Sequence, residues 1–109
     1  MKVDSLRVTS RNIEGGRVVA LCGELDISST SQGLVEQMIG PPGSLVVVDL
    51  TQLTFMDSSG LSAIHSARRT MMRDGGTLVV ARPRQPVGKL LEMTGLDGWV
   101  TDWNSDWSG

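Results

Sequence analysis

Residues 45–61 read LVVVDLTQLTFMDSSGL, and this stretch decides the fold. Its first part, 45–50, is an apolar and largely β-branched run, which predicts a strand buried on both faces of a sheet. A sheet covered on both faces requires helices, so an α/β architecture is expected. After Gly60 the apolar residues take a helical spacing, at Leu61, Ile64, Ala67 and Met71. The serine pair Ser58-Ser59 is therefore expected at a strand-to-helix turn.

The segments on either side of this stretch predict a mixed, mostly parallel sheet of four to five strands with helices packed on it. Turn residues at 14–16 favour an antiparallel hairpin, and the later strands are joined by helices, which favours parallel pairing. Strands are predicted at 6–10, 17–23, 45–50 and 77–81. Helices are predicted over 34–39, with Ser28, Ser29 or Thr30 as cap, from Gly60 to the stop at 74–76, and from Pro86 through Met93 to Gly95.

Length and composition narrow the class of protein. A chain of 109 residues fits one domain, 1–109, around one core. Ten basic and twelve acidic residues, with the arginines scattered, do not predict a nucleic-acid partner. The single cysteine, Cys22, lies in an apolar run and is expected to be buried and unreactive. No apolar run approaches the roughly 18 residues of a membrane span, so a cytoplasmic protein without membrane contact is expected.

The last segment combines a helical spacing of tryptophans with residues that disfavour helices. Trp99, Trp103 and Trp107 recur every four residues among Asp, Asn, Ser and Gly. We interpret Trp99-Val100 as an edge strand and the later tryptophans as a cover for core surface, in preference to an exposed aromatic docking stripe. Residues 101–109 are expected to form a short tail.

The residue inventory argues against an enzyme. His65 is the only histidine, and on a shared helix it would lie about 10 Å along the axis from Ser58, too far for a catalytic dyad. No glycine stands two places before either serine, as a nucleophile elbow requires. Neither a metal-binding spacing nor a phosphate-binding glycine loop is present, so no metal and no cofactor are expected.

The serine turn can hold a phosphate without losing the fold. A helix N-terminus presents unpaired N–H groups and about half a positive charge, which stabilises an anion by about 0.3–1 kcal/mol. Asp57, and Asp26 from another loop, would make the surroundings negative, so a phosphate would change the local field and act on a partner that buries the turn. The alternative is ordinary helix capping with no modification, and helix physics does not choose between Ser58 and Ser59.

Five blocks of the sequence resemble the anti-sigma factor antagonists of the STAS family, and the likeness covers about Leu6 to Val100. The block Met56–Leu61 is the most specific. The blocks are 23–26 (GELD), 47–50 (VVDL), 55–61 (FMDSSGL), 75–76 (GG) and 90–96 (LLEMTGL). Members usually continue past the last strand into a C-terminal helix, for which the predicted tail is too short.

The resemblance implies a phosphorylation switch centred on Ser58. Unmodified, the protein would bind an anti-sigma factor that is also a serine kinase and so release the sigma factor. Phosphorylation of Ser58 would end the association, and a PP2C-type phosphatase would restore it. The implied partner-binding residues are Asp26, Met56, Asp57, Ser58, Ser59, Gly60 and Leu61; Leu61 is equally well explained as a core residue. A monomer or weak homodimer is expected.

Two other functions remain open at this point. A STAS domain can also be a scaffold or sensor subunit of a larger signalling assembly, in which the serine would be idle or modified by a different kinase. A hydrolase or nucleotide-binding enzyme is supported only by the exposed serine. Gel filtration would separate the first alternative from the switch, and a nucleotide-binding isotherm or turnover lost in Ser58→Ala would support the second.

Overall fold

Strands and helices alternate along the computed structural model, which describes residues 6–26, 28 and 32–101. The strands are β1 (Leu6–Ile13), β2 (Gly16–Leu25), β3 (Leu45–Asp49), β4 (Leu53–Met56), β5 (Thr77–Ala81) and β6 (Val100–Thr101). The helices are α1 (Gln32–Gln37), α2 (Ser58–Arg73) and α3 (Val87–Met93), and a 3₁₀ turn covers Asp97–Trp99. Within the described residues, no helix has both the length and the apolar character of a membrane span.

All the strands belong to one mixed sheet in the order β1-β2-β3-β5-β6. β1 and β2 form the antiparallel hairpin, with Gly15 at the positive φ of 82° that its tight turn requires. β2, β3, β5 and β6 pair in parallel, and β4 pairs in parallel with the end of β2. The predicted mixed, mostly parallel α/β sheet is confirmed, with six strands where four to five were expected.

The additional strand is β4, and it corrects the prediction that strand 45–50 leads directly into the serine turn. β3 ends at Asp49, whose Oδ1 accepts hydrogen bonds from the backbone N–H and the hydroxyl of Thr51, at 3.0 and 2.6 Å. A hydrogen bond between a side chain and the backbone two residues later favours a turn over continued strand pairing. Arg84 donates from Nη1 to the Thr51 carbonyl at 3.2 Å, which holds the turn from the other side. The chain therefore leaves β3 and starts a new strand beside β2.

β4 and β2 pair with a slip of one residue. Gly23 is opposite Leu53, but Glu24 is opposite Phe55, so Thr54 has no partner residue in β2. The Thr54 hydroxyl donates to the Gly23 carbonyl at 3.0 Å, and Gly23 has a φ of 105°. Because of this bulge, Leu53 and Met56 both reach the core although they are three positions apart.

The described helices bury their apolar residues against one face of the sheet. One large cluster joins residues of all three helices to Val46 and Val48 of β3. The opposite face carries a small cluster of strand residues, namely Ile13, Val18, Val47 and Ala81, with Leu45 and Val79 beside them. The expectation of helices on both faces is wrong for the described residues, because small β-branched side chains on neighbouring strands suffice to bury Val47.

Most other predicted elements occur with shifted ends. β1 and β2 extend beyond the predicted 6–10 and 17–23, and α1 begins two residues before 34–39. The edge strand predicted at Trp99-Val100 starts at Val100, because Trp99 lies in the 3₁₀ turn, where it is buried. The candidate caps Ser29 and Thr30 lie outside the described residues, as do Trp103, Trp107 and the tail after Thr101.

α2 approaches the end of β2 closely because Gly60 has no side chain. A Cβ at this position would lie 2.6 Å from Cγ of Leu25 and 2.9 Å from its carbonyl oxygen. Backbone atoms leave no room for a methyl group without a shift of the helix or the strand. Gly60 therefore sets the distance between the first turn of α2 and the sheet.

We expect Gly60→Ala to lower the free energy of unfolding by about 1–3 kcal/mol, because the added methyl group overpacks the contact with Leu25. Urea denaturation measures the loss. Gly98→Ala is the matched control, since a Cβ there meets nothing within 4 Å. Equal stability of the two variants would show that the approach of α2 to β2 is not restricted at Gly60.

We expect Asp49→Ala to lower the free energy of unfolding by about 1–3 kcal/mol, because two donors of Thr51 lose a charged acceptor and Arg82 loses its ion pair with this carboxylate. Asp49→Asn keeps an acceptor oxygen and should lose less. Glu36→Ala removes one carboxylate from an exposed position and serves as the control. Thermal and urea unfolding of the three variants would contradict the role of this turn if Asp49→Ala matched Glu36→Ala.

Candidate functional site

Asp57 links the end of β4 to the start of α2. Its backbone is extended, and its N–H donates to the carbonyl of Leu25 at 3.2 Å, which continues the pairing with β2. Its Oδ1 accepts from the backbone N–H groups of Ser59 at 2.9 Å and Gly60 at 3.2 Å. This is an N-cap, which typically stabilises a helix by about 1 kcal/mol. Ser58 is the first residue of the helix and is exposed.

Asp26 lies beside Asp57 because two parallel strands end together. Leu25, the last residue of β2, is opposite Met56, the last residue of β4. The two aspartates are the first residues after these strands. The Oδ1 of Asp26 accepts from the N–H and the hydroxyl of Ser28, at 3.0 and 2.6 Å, which defines the turn after β2. The register thus brings the two predicted aspartates to adjacent strand ends, and Ser58 directly follows Asp57.

The predicted site residues divide into a surface group and a buried group. Asp26, Asp57 and Ser59 are half-buried and Ser58 is exposed, so these four can meet a partner. Met56 and Leu61 are core residues, exposed by only 6% and 9%, and Gly60 is buried against Leu25. For Leu61 the core explanation is the one that the structure favours. The side chains of Met56 and Leu61 pack in the core and anchor the two ends of the turn.

Phe55 is the exposed side chain beside this turn that the sequence interpretation did not single out. It precedes buried Met56 and is 42% exposed. The only feature of the sequence that hints at the exposure of Phe55 is the spacing of Leu53 and Met56. Two core residues three positions apart on one strand require a bulge between them. Simple alternation does not show which of the intervening residues faces solvent.

His65 is not placed to act on Ser58. The predicted shared helix is confirmed: both residues lie on α2, seven positions apart, which corresponds to about 10 Å along the helix axis. The imidazole ring packs on Trp99 with 5.5 Å between ring centroids, and the Arg68 guanidinium lies 5.2 Å from the same ring. This cluster attaches α2 to the 3₁₀ turn.

Two cavities formed by described residues do not have Ser58 in their lining. One of about 290 Å³ is on the sheet face opposite the helices and includes Asp49 and Arg82. Another, of about 550 Å³, is formed by the turns around Gly15 and Pro42. Among the described residues, no group of three His, Cys, Asp or Glu side chains is arranged to hold a metal ion.

A family model described as "Mlab, STAS domain" matches residues 10–102. A curated relative, the anti-sigma F factor antagonist of Paenibacillus polymyxa, is 32% identical over 95 residues, which cover 84% of this chain and 81% of that protein.

Solved structures give the same fold. An anti-sigma factor antagonist from Mycobacterium paratuberculosis is 25% identical, with a TM-score of 0.76, over 94% of this chain and 91% of that one. The Bacillus cell fate determinant SpoIIAA in its phosphorylated form is 22% identical, with a TM-score of 0.69 over 93% of each chain. The match to residues 10–102 and the 32% identity to a curated relative establish that this chain belongs to the STAS domain family.

Proposed function

We propose that this domain is an anti-sigma factor antagonist whose binding to an anti-sigma factor serine kinase is controlled by phosphorylation of Ser58. The observation that carries the proposal is the position of Ser58, which is the exposed first residue of α2 between its N-cap and the half-buried Ser59. Support also comes from the curated relative, which is an anti-sigma F factor antagonist.

Exposure supports the choice of Ser58 over Ser59. Ser59 is half-buried, whereas Ser58 is exposed. A kinase needs the acceptor hydroxyl at the surface, where it can enter an active site. Ser58 meets this requirement without any unfolding of the helix.

The free protein can carry the phosphate because the group stays in water. Asp57 already uses the N–H groups of Ser59 and Gly60, so a phosphate on Ser58 would compete with one carboxylate for one helix N-terminus. Asp26 adds a second negative charge at the same edge. Phosphorylation adds about −1.5 to −2 charges to this group, and solvent can screen them as long as the surface is open.

A partner that covers Ser58 removes that solvent. An unpaired phosphate buried in the interface costs several kcal/mol, and each 1.4 kcal/mol weakens binding about tenfold. Modification of one serine would therefore convert tight binding to none at cellular concentrations. The domain itself acts as a binding module in this scheme, the kinase supplies the ATP site, and a PP2C-type phosphatase restores the hydroxyl.

Substitutions at the two serines test the proposal. Candidate anti-sigma kinases from the same genome are incubated with ATP and with wild type, Ser58→Ala, Ser58→Asp or the matched control Ser59→Ala. We expect Ser58→Ala to bind like wild type and to stay bound in ATP, because no phosphate can form. Ser58→Asp should bind on the order of 10- to 100-fold more weakly, since it buries one uncompensated charge.

Calorimetry gives the affinities and mass spectrometry of the phosphopeptide gives the site. Modification of Ser59 in place of Ser58, or equal affinity of Ser58→Ala and Ser58→Asp, would contradict the switch. Migration of the protein in a large stable complex with no kinase would favour the scaffold function instead.

A further inference from the structure

Phe55 is turned to the surface by the bulge in β4. In a regular strand without a bulge, Leu53 and Met56 are three positions apart and would lie on opposite faces of the sheet. The slip between Gly23 and Glu24 lets both reach the core and leaves the aromatic ring 42% exposed. Bulges commonly re-aim a side chain next to a functional site. Single exposed apolar side chains are common on protein surfaces, so the interest of Phe55 lies in its position, three residues before Ser58 on the same strand-to-helix connection.

Phe55 is close to Ser58 along the chain. Phe55 is three residues before Ser58, and the backbone between them is fixed by the pairing of Met56 with Leu25 and by the bond from Asp57 to the same residue. Interfaces that bind specifically cover about 800 Å² on each partner, so one partner can contact both residues.

Among the exposed large apolar side chains of the described residues, Phe55 is the nearest to Ser58 along the chain. Met72 is 53% exposed but lies fourteen residues further along α2, about 21 Å along the helix axis. Met93 and Val100 are exposed on α3 and β6. The residues of the serine motif that could have supplied apolar contact, Met56 and Leu61, are in the core.

The charges around Phe55 define the chemistry of what it would meet. Exposed Glu24 is its register partner in β2, and Asp26 and Asp57 follow at the ends of the two strands. An aromatic ring among carboxylates is complementary to an apolar pocket with basic side chains at its rim, and such side chains also stack on aromatic faces.

We propose that Phe55 is the apolar anchor of the partner surface, inserted into a basic-rimmed apolar pocket of the anti-sigma factor kinase. This inference rests on the function proposed above, and it divides the surface into two tasks. Phe55 supplies affinity whether or not the serine is modified, and Ser58 decides whether the complex is tolerated. Anchors of this kind are typically aromatic and lie beside polar groups that contribute little by themselves.

The test uses the kinase that phosphorylates Ser58 in the experiment above, with wild type, Phe55→Ala, Phe55→Leu and the control Met72→Ala. We expect Phe55→Ala to raise the Kd of the unphosphorylated complex by about 10- to 100-fold. Phe55→Leu keeps an apolar side chain and should recover part of the affinity. Met72→Ala removes a more exposed apolar side chain far from Ser58 and should change the Kd less than about 2-fold.

A second readout separates binding from folding. In phosphorylation assays Phe55→Ala should raise the KM for the antagonist and leave kcat unchanged, because an anchor contributes uniform binding. A fall in kcat with lowered resistance to urea would assign Phe55 a structural role and overturn the proposal. A Kd for Phe55→Ala within 2-fold of wild type would overturn it as well. If no kinase binds or modifies wild type, the proposed function fails first, and the anchor fails with it.

Discussion

The parallel pairing of β4 with the end of β2 is the constraint on which the site depends. It brings the ends of the two strands together, so that Asp26 and Asp57 lie side by side, and it delivers the chain to the first turn of α2 in one conformation. The bulge at Thr54 belongs to the same pairing and decides which side chains of β4 reach the core. Gly60 completes the arrangement, since only a residue without a side chain lets α2 start directly against Leu25.

Within a few residues, this arrangement separates the buried residues that hold the turn from the surface residues that a partner could contact. Met56, Gly60 and Leu61 fix the turn from inside, and Ser58 with the two aspartates stands at the surface. Under the proposed switch a rigid support would matter, because a turn that could rearrange would move a phosphate away from the interface and relieve the repulsion. The capping bonds of Asp57 hold the first turn in place.

The charges at the ends of β2 and β4 are arranged so that an added anion would affect binding and leave the fold unchanged. One helix N-terminus already has a carboxylate on its N–H groups, and a second carboxylate lies on the neighbouring strand end. A further anion is tolerable in water and unfavourable where water is excluded, because the cost of a charge grows steeply as the dielectric constant falls. The same group of charges can thus be harmless in the free protein and decisive in a complex.

The sequence by itself determined the α/β class, the hairpin, the long amphipathic helix from the serine turn to Asp74, and the buried strands 45–49 and 77–81, because each of these has a local periodicity or a strong start and stop signal. The motif 56–61 also identified the family and the serine pair. Only the tertiary structure decided that β4 is a separate strand, that Met56 and Leu61 are buried, that Phe55 is exposed and that the described helices share one face of the sheet. These features depend on a register slip between strands about 30 residues apart and on how much of each side chain a neighbouring strand covers. Neither quantity can be read from the order of apolar and polar residues along a single segment.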